Sequence, residues 1–278
     1  MTSTLLLTAL TMLAFAANSV LCRLALSHTA IDPAGFTLVR IASGAAMLWV
    51  LANGLGKRKG VAGSWKGAAT LVVYAIAFSL AYVSLPAGTG ALLLFGSVQA
   101  TMIATGLVKG ERLSLGQWAG LALALAGLVT LVAPGVSAPP PLGAALMVLS
   151  GVFWGIYSLL GRGASDPVAT TAGNFIRGVP LAILPAAILA GQLNPDPWGI
   201  LYAVLSGTLA SGCGYILWYS VLPRLSSAQG ASVQLSVPVI AALAGAALIG
   251  EALSLRLCIA SAAVLGGIAL VISGRRRL

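Results

Sequence analysis

The hexapeptide Gly110-Glu111-Arg112-Leu113-Ser114-Leu115 recurs 140 residues later as Gly250-Glu251-Ala252-Leu253-Ser254-Leu255. A glycine follows each copy at the same distance, Gly127 and Gly267. Other pairs keep the same order along the chain. Ser19-Val20-Leu21-Cys22-Arg23 pairs with Ser158-Leu159-Leu160-Gly161-Arg162, and Asp32-Pro33 with Arg40 pairs with Asp166-Pro167 with Arg177. Tyr82 ahead of Leu85-Pro86 pairs with Tyr219 ahead of Leu222-Pro223. Each unit holds five apolar stretches. An odd number sends the second unit into a bilayer from the opposite face, which is the inverted duplication of secondary transporters, whose substrate site lies between the two repeats.

Composition requires the bilayer. Hydrophobic residues make up 59% of the 278 and charged residues 7%, against about 25% charged in a soluble domain. So few charges cannot cover a water-facing surface. A spanning helix needs roughly 20 apolar residues. Spans are expected near 3–26, 33–54, 65–85, 88–108, 115–132, 139–160, 168–190, 197–218, 227–249 and 254–273, an all-α membrane protein of ten helices. The apolar run from Leu5 lacks the positive leader of a signal peptide and continues to Leu26, so it is read as the first span. Asp32-Pro33 and Asp166-Pro167 place a capping carboxylate before a proline, and Ser114 and Ser254 stand where caps belong.

The net charge of +10 is not a nucleic-acid footprint, because its distribution follows the positive-inside rule. Lys57, Arg58, Lys59, Lys66, Lys109, Arg112, Arg162, Arg224, Arg275, Arg276 and Arg277 all fall in alternate connections or at the C-terminus. The intervening loops hold Arg256, with Arg23 at a helix end. Both termini are thereby expected in the cytoplasm. The three cysteines, Cys22, Cys213 and Cys258, have no metal-binding spacing, and there is no phosphate-cradling loop. No cofactor is expected.

The small-residue spans and the doubled Gly-Glu-x-Leu-Ser-Leu resemble the EamA-type branch of the drug/metabolite transporter superfamily. The resemblance covers nearly the whole chain. It implies ten spans in two EamA repeats, residues 1–135 and 136–278, in a bacterial inner membrane, and export of amino acids or other metabolites. Aromatic-amino-acid exporters of the YddG kind are the branch it resembles most. The family often carries a proline partway along the fourth helix of each repeat. Pro238 matches in the second, whereas the first has Val98, which leaves a kink in that helix in doubt.

Candidate site residues follow from the spans. Tyr74, Phe78 and Tyr82 fall at i, i+4 and i+8 on one helical face, Tyr215 and Tyr219 share that spacing beside Trp218, and Trp154 and Tyr157 lie on the sixth span. Such stripes form either a lipid-facing interfacial belt or the wall of a cavity for an aromatic or apolar solute. Asn18, Gln99 and Gln234 inside spans favour an enclosed path, because an amide facing lipid is unpaired. Inversion places Tyr82 near the outer end of its helix and Tyr219 near the inner end of its own, so each is a candidate gate. Arg40 and Arg177 either snorkel to an interface or bind helix-end carbonyls, or else attract a substrate carboxylate. Asp32, Glu111, Asp166, Asp196 and Glu251 lie at helix ends or in loops, as does His28. The absence of an intramembrane carboxylate favours a facilitator over a proton antiporter, and leaves no general base for an enzyme. The pairs Gly116/Gly120 and Gly151/Gly155 permit close helix contact, within one chain or across a dimer, so monomer and homodimer stay open.

The topology is directly testable. On a cysteine-free background, cysteines introduced in the Lys57–Lys59 loop or beside Arg277 should resist a membrane-impermeant thiol reagent in intact cells. Labelling at either place would overturn both the orientation and the inverted repeat.

Overall fold

A computed structural model describes residues 2–54, 62–110, 112–135, 138–161, 164–188, 194–221 and 233–273. The Lys57–Lys59 loop, Glu111, Arg162, Arg224 and Arg275–Arg277 lie outside the described residues. Among those described there is no strand. The helices are α1 (Thr2–His28), α2 (Pro33–Gly54), α3 (Trp65–Tyr82), α4 (Ala87–Val108), α5 (Leu115–Val132), α6 (Pro141–Gly161), α7 (Pro167–Ile188), α8 (Pro197–Val221), α9 (Ser236–Ile249) and α10 (Leu255–Ser273). Among the described residues, all but α9 are long and apolar enough to span a membrane. The start expected for the ninth span, residues 227–232, lies outside them.

Helix is the form in which a segment in lipid satisfies its own backbone, and the ends are where partners must come from side chains. Asp32 Oδ1 accepts from the Ala34 and Gly35 amides at 3.0 and 2.8 Å, and Asp166 Oδ1 accepts from Ala169 at 3.1 Å. Asp196 caps α8 ahead of Pro197, and Ser64 caps α3. Ser114 and Gln117 form a reciprocal capping box on α5, and Ser254 Oγ accepts from Leu257 N on α10. Proline at the first helical position forgoes an amide that would have no partner there. The third helix stops at Tyr82, short of the expected end near 85, because Val83–Leu85 turn toward Pro86.

Proline also distinguishes α9 from α4. α4, with Val98, runs unbroken from Ala87 to Val108. On the α9 side the helical pattern is interrupted at Leu235, where Pro238 has no N–H to donate one turn back. α8 carries a different irregularity: Pro197–Leu205 and Gly214–Val221 are α-helical, and Ser206–Cys213 between them is π-helical. Short π segments recur at functional sites.

Packing divides the bundle into a body and an outlying pair. α3 lies against α6 and α7, and α8 lies against α1 and α2. α4 packs on α6, α1 on α9, α2 on α7, and α4 on α9. α5 and α10 pack mainly on each other and reach the body through α4. Glycine sets these distances. A Cβ on Gly267 would stand 2.4 Å from the Gly120 carbonyl, and one on Gly120 2.6 Å from the Gly267 carbonyl. Gly151 and Gly155 press α6 onto α4 at the Leu94 carbonyl and Thr101. These glycines therefore serve contacts within the chain, while Gly116 faces open space.

A single methyl group should register this difference. Gly267→Ala forces α5 and α10 apart and is expected to cost about 1–3 kcal/mol, read as a lower thermal midpoint in detergent. Gly116→Ala should leave the midpoint unchanged. Equal midpoints for the two variants would refute the backbone-contact account.

Candidate functional site

Trp154 on α6 is the hub of a buried aromatic cluster. Its ring centroid lies 4.9 Å from that of Tyr74 on α3 and 4.9 Å from that of Tyr215 on α8. It stacks on Tyr157 at 5.6 Å and meets Phe15 of α1 edge-on at 6.2 Å. Along α3 the contacts continue from Tyr74 to Phe78 and from Phe78 to Tyr82, at 5.5 and 4.7 Å. Phe15 also touches Trp218, and Tyr215 touches Phe175 of α7. All of these rings are buried.

The lipid-belt reading of these aromatics is thereby corrected. The i, i+4, i+8 face of α3 turns inward, while Leu80 and Val83 are exposed. The exposed tryptophans are Trp49, Trp65, Trp118 and Trp198, near helix ends, where an indole suits the headgroup region. Centroid separations of 4.5–7 Å are those of attractive ring pairs, so in this conformation the rings fill one another's space.

A polar network runs through the cluster. Asn18 Nδ2 donates to the Tyr74 hydroxyl at 3.3 Å, and Asn18 Oδ1 accepts from Ser206 Oγ at 2.6 Å. Arg40 donates from Nη2 to the same Tyr74 hydroxyl at 3.0 Å and from Nε to Ser211 Oγ at 3.3 Å. Its Cζ stands 5.3 Å from the Tyr74 ring centre and 5.1 Å from that of Phe78. Both serines belong to the π segment of α8. Gly207 brings that segment close, since a Cβ there would lie 2.2 Å from the Arg40 carbonyl.

Arg40 does not snorkel. It is 1% exposed, and its Nη1 has no hydrogen-bond partner. It lies seven residues into α2, roughly 10 Å from the helix start at 1.5 Å per residue, and is enclosed by α3 and α8. Inserting arginine near mid-membrane costs about 2.5–3.5 kcal/mol on insertion scales. Cation–π attraction returns about 0.5–2 kcal/mol, and the remainder falls to the hydrogen bonds that Arg40 donates to the neutral Tyr74 and Ser211 hydroxyls. Arg177, which the sequence pattern pairs with Arg40, behaves differently. It donates to the Ala62 carbonyl at 2.6 Å and to Gly173 at 3.0 Å, at an exposed edge beside the α2–α3 connection.

Other candidates are distributed. Gln99 is 5% exposed, but it lines a crevice between α4, α5 and α10 with Leu121, Leu128 and Val264. Expected on an enclosed path with Asn18 and Gln234, it stands away from the aromatic cluster, because the opposite side of α4 carries Ser97 against α6. Gln234 is buried just ahead of α9. Tyr82 is fully buried, with its hydroxyl donating to the Ala87 carbonyl at 3.3 Å. Tyr219 lines a second crevice with Tyr157, Gly161, Thr170 and Asn174.

Sequence reasoning missed Phe15, Phe175, Asn174, Ser206 and Ser211. Phe15 lies one helical turn before Asn18, so a shared face was available as a signal. Nothing distinguishes the two serines from other small residues in a span. Asn174 accepts from Ser64 N at 2.9 Å and donates to the Tyr157 hydroxyl at 3.5 Å, joining the start of α3 to α6 and α7. Arg23 and Glu251 were recognised as repeat residues and are now seen to be paired. Arg23 Nε lies 2.9 Å from Glu251 Oε1, and Nη1 donates to the Tyr82 and Val83 carbonyls at 3.0 Å each. Glu251 Oε2 accepts from Ala87 N at 2.7 Å. One ion pair thus ties together α1, the α3–α4 turn and the α9–α10 connection.

Comparisons with known proteins agree with this architecture. An uncharacterized protein of Pseudomonas aeruginosa is 59% identical over 274 residues, covering 98% of this chain and 95% of its own. A probable terminal-alkyne amino-acid exporter of Streptantibioticus cattleyicolor is 27% identical over 228 residues, 78% of this chain and 76% of its own. A crystal structure superposes with a TM-score of 0.71 at 22% identity, covering 100% of this chain and 99% of that one, and so shares the fold. The EamA-like transporter family matches residues 141–273. The chain belongs to the EamA-like transporter family and is a multi-span membrane transporter.

Proposed function

We propose that the chain exports small metabolites, amino acids first and aromatic or hydrophobic ones among them, across a bacterial inner membrane by alternating access between two inverted five-helix repeats. The observation that carries this reading is the meeting of both halves of the chain in one aromatic and polar cluster. Asn18, Arg40, Tyr74 and Phe78 come from the first half, and Trp154, Tyr157, Ser206, Ser211 and Tyr215 come from the second. A rocking motion between the halves would open and close that cluster. Substrate-binding roles are assigned to Asn18, Tyr74, Phe78, Trp154, Tyr157 and Tyr215, and gating roles to Tyr82 and Tyr219.

The packing supports the repeat. Three of the contacts between the halves have counterparts when the halves are exchanged: α3 on α6 matches α8 on α1, α3 on α7 matches α8 on α2, and α4 on α6 matches α9 on α1. The relative named as a probable amino-acid exporter supports the substrate class. A phosphorylated metabolite held jointly by Arg40 and Arg177 is disfavoured, because Arg177 already binds carbonyls at an exposed edge. A facilitator is favoured over a proton antiporter. Among the described residues the carboxylates cap helices or pair with Arg23, and none stands as a relay within a span.

Saturable uptake of radiolabelled amino acids into proteoliposomes tests the reading. Ohmic ion current would mark a pore instead. Alanine at Trp154 or Phe78 would cost about 3–5 kcal/mol in so packed a site, so milder changes are informative. Trp154→Phe and Phe78→Leu should each raise the half-saturation concentration roughly tenfold, equivalent to about 1.4 kcal/mol, in protein that stays monodisperse. Unchanged transport in both would sink the site assignment. Uptake should also persist when the pH gradient is collapsed, and concentrative movement driven by an imposed pH gradient would overturn the facilitator mechanism.

A further inference from the structure

The charge balance around Arg40 is incomplete. Around it stand the phenols of Tyr74 and Tyr215 and the thiol of Cys22, with no described carboxylate among them. The described acids are engaged elsewhere. Asp32, Asp166 and Asp196 hold helix N-termini, and Glu251 holds Arg23 and the Ala87 amide. Arg40 Nη1 is left without an acceptor. The Tyr215 hydroxyl, buried in the same cluster, likewise makes no hydrogen bond of ordinary geometry. Both groups can donate, and arginine's fixed fork matches the planar oxygens of a carboxylate.

We infer that Arg40 is the anchor for a single carboxylate on the transported solute, with the Tyr215 hydroxyl as a second donor. The solute supplies the counter-charge that the protein omits. This rests on the amino-acid reading above and adds an order of importance to it. An amino acid's ammonium meets no described carboxylate in the cluster. Its partners are the Asn18 oxygen, already shared with Ser206, and the faces of Trp154 and Tyr215, which attract a cation only modestly. The site therefore requires the carboxylate and tolerates loss of the ammonium. The rings accept the apolar body of the solute. Because Arg40 stands on α2 and Tyr215 on α8, the carboxylate binds across the seam between the halves.

Thermal shift of the purified full-length protein separates the possibilities with four probes: phenylalanine, 3-phenylpropionate, phenethylamine and sodium chloride. Phenylalanine and 3-phenylpropionate should both raise the midpoint, with affinities within about tenfold of each other, and phenethylamine should not. Arg40→Gln should abolish both shifts, Arg40→Lys should weaken them at least tenfold, and Tyr215→Phe should weaken them less. The wild-type series decides the matter even where Arg40→Gln fails to fold. Stabilisation by phenethylamine equal to that by phenylalanine, or an unchanged phenylalanine shift in folded Arg40→Gln, would overturn the anchor while leaving amino-acid export standing. Arg40-dependent binding of 3-phenylpropionate without any amino acid would keep the anchor and discard amino acids as cargo. An Arg40-dependent shift with chloride alone would replace the carboxylate by an inorganic counter-ion and overturn the proposal. No shift with phenylalanine, the other amino acids or 3-phenylpropionate would overturn both.

Discussion

Hydrocarbon offers no hydrogen-bond partner, and this constraint orders the molecule from its backbone to its site. Every described span is helical because an unpaired amide or carbonyl costs several kcal/mol in lipid. The same constraint explains where polar side chains go. Most hydroxyls within the spans donate back to their own helix: Thr11 to the Leu7 carbonyl, Thr37 to Pro33, Ser97 to Leu93, Thr101 to Ser97. Side chains too large or too charged for that solution are drawn together. Asn18, Tyr74, Arg40, Ser206 and Ser211 form one network because each removes a cost from another.

Apolar contact alone provides little drive between helices in lipid, so close packing does the work. Small residues determine which helices approach. Gly120 and Gly267 bring two backbones together and give α5 a partner in α10. Gly151 and Gly155 seat α6 on α4, and Gly207 lets the π segment of α8 reach the Arg40 carbonyl. The functional consequence is a division of labour. The α5–α10 pair contributes no ring to the aromatic cluster, while α1, α3, α6, α7 and α8 supply its rings and α2 its charge.

Contacts at two levels hold this conformation together. The Arg23 and Glu251 side chains are 18% and 12% exposed and tie α1 to the α3–α4 turn and the α9–α10 connection. Below them the rings of Tyr82, Phe78, Tyr74 and Trp154 pack in series. Under the proposed alternating access both levels would separate, and a solute entering the cluster would replace ring contacts with equivalent ones. Aromatic and apolar solutes meet that requirement. On the proposed reading a carboxylate would also meet the unpaired Arg40 Nη1, which would link the energetics of this packing to the choice of cargo.

The membrane class, the spans and most of the caps were legible in the sequence, because hydropathy, proline and capping residues act over a few residues each. Asp32, Asp166, Ser114 and Ser254 cap where their local patterns place them, and α2 and α5 occupy the spans expected. The aromatic set was legible as a list, since the spacing of Tyr74, Phe78 and Tyr82 puts them on one face. Whether that face meets lipid or protein was not, because helical periodicity is the same for both. Only the tertiary structure separated Arg40 from Arg177, two residues that the sequence pattern pairs, by enclosing one between α3 and α8 and leaving the other at an edge bound to the Ala62 and Gly173 carbonyls. It likewise turned Gln99 away from the cluster and brought Ser206 and Ser211 into it. A side chain's rotation about its helix and its neighbour across the interface depend on how helices pack, and residues far apart in sequence determine that together.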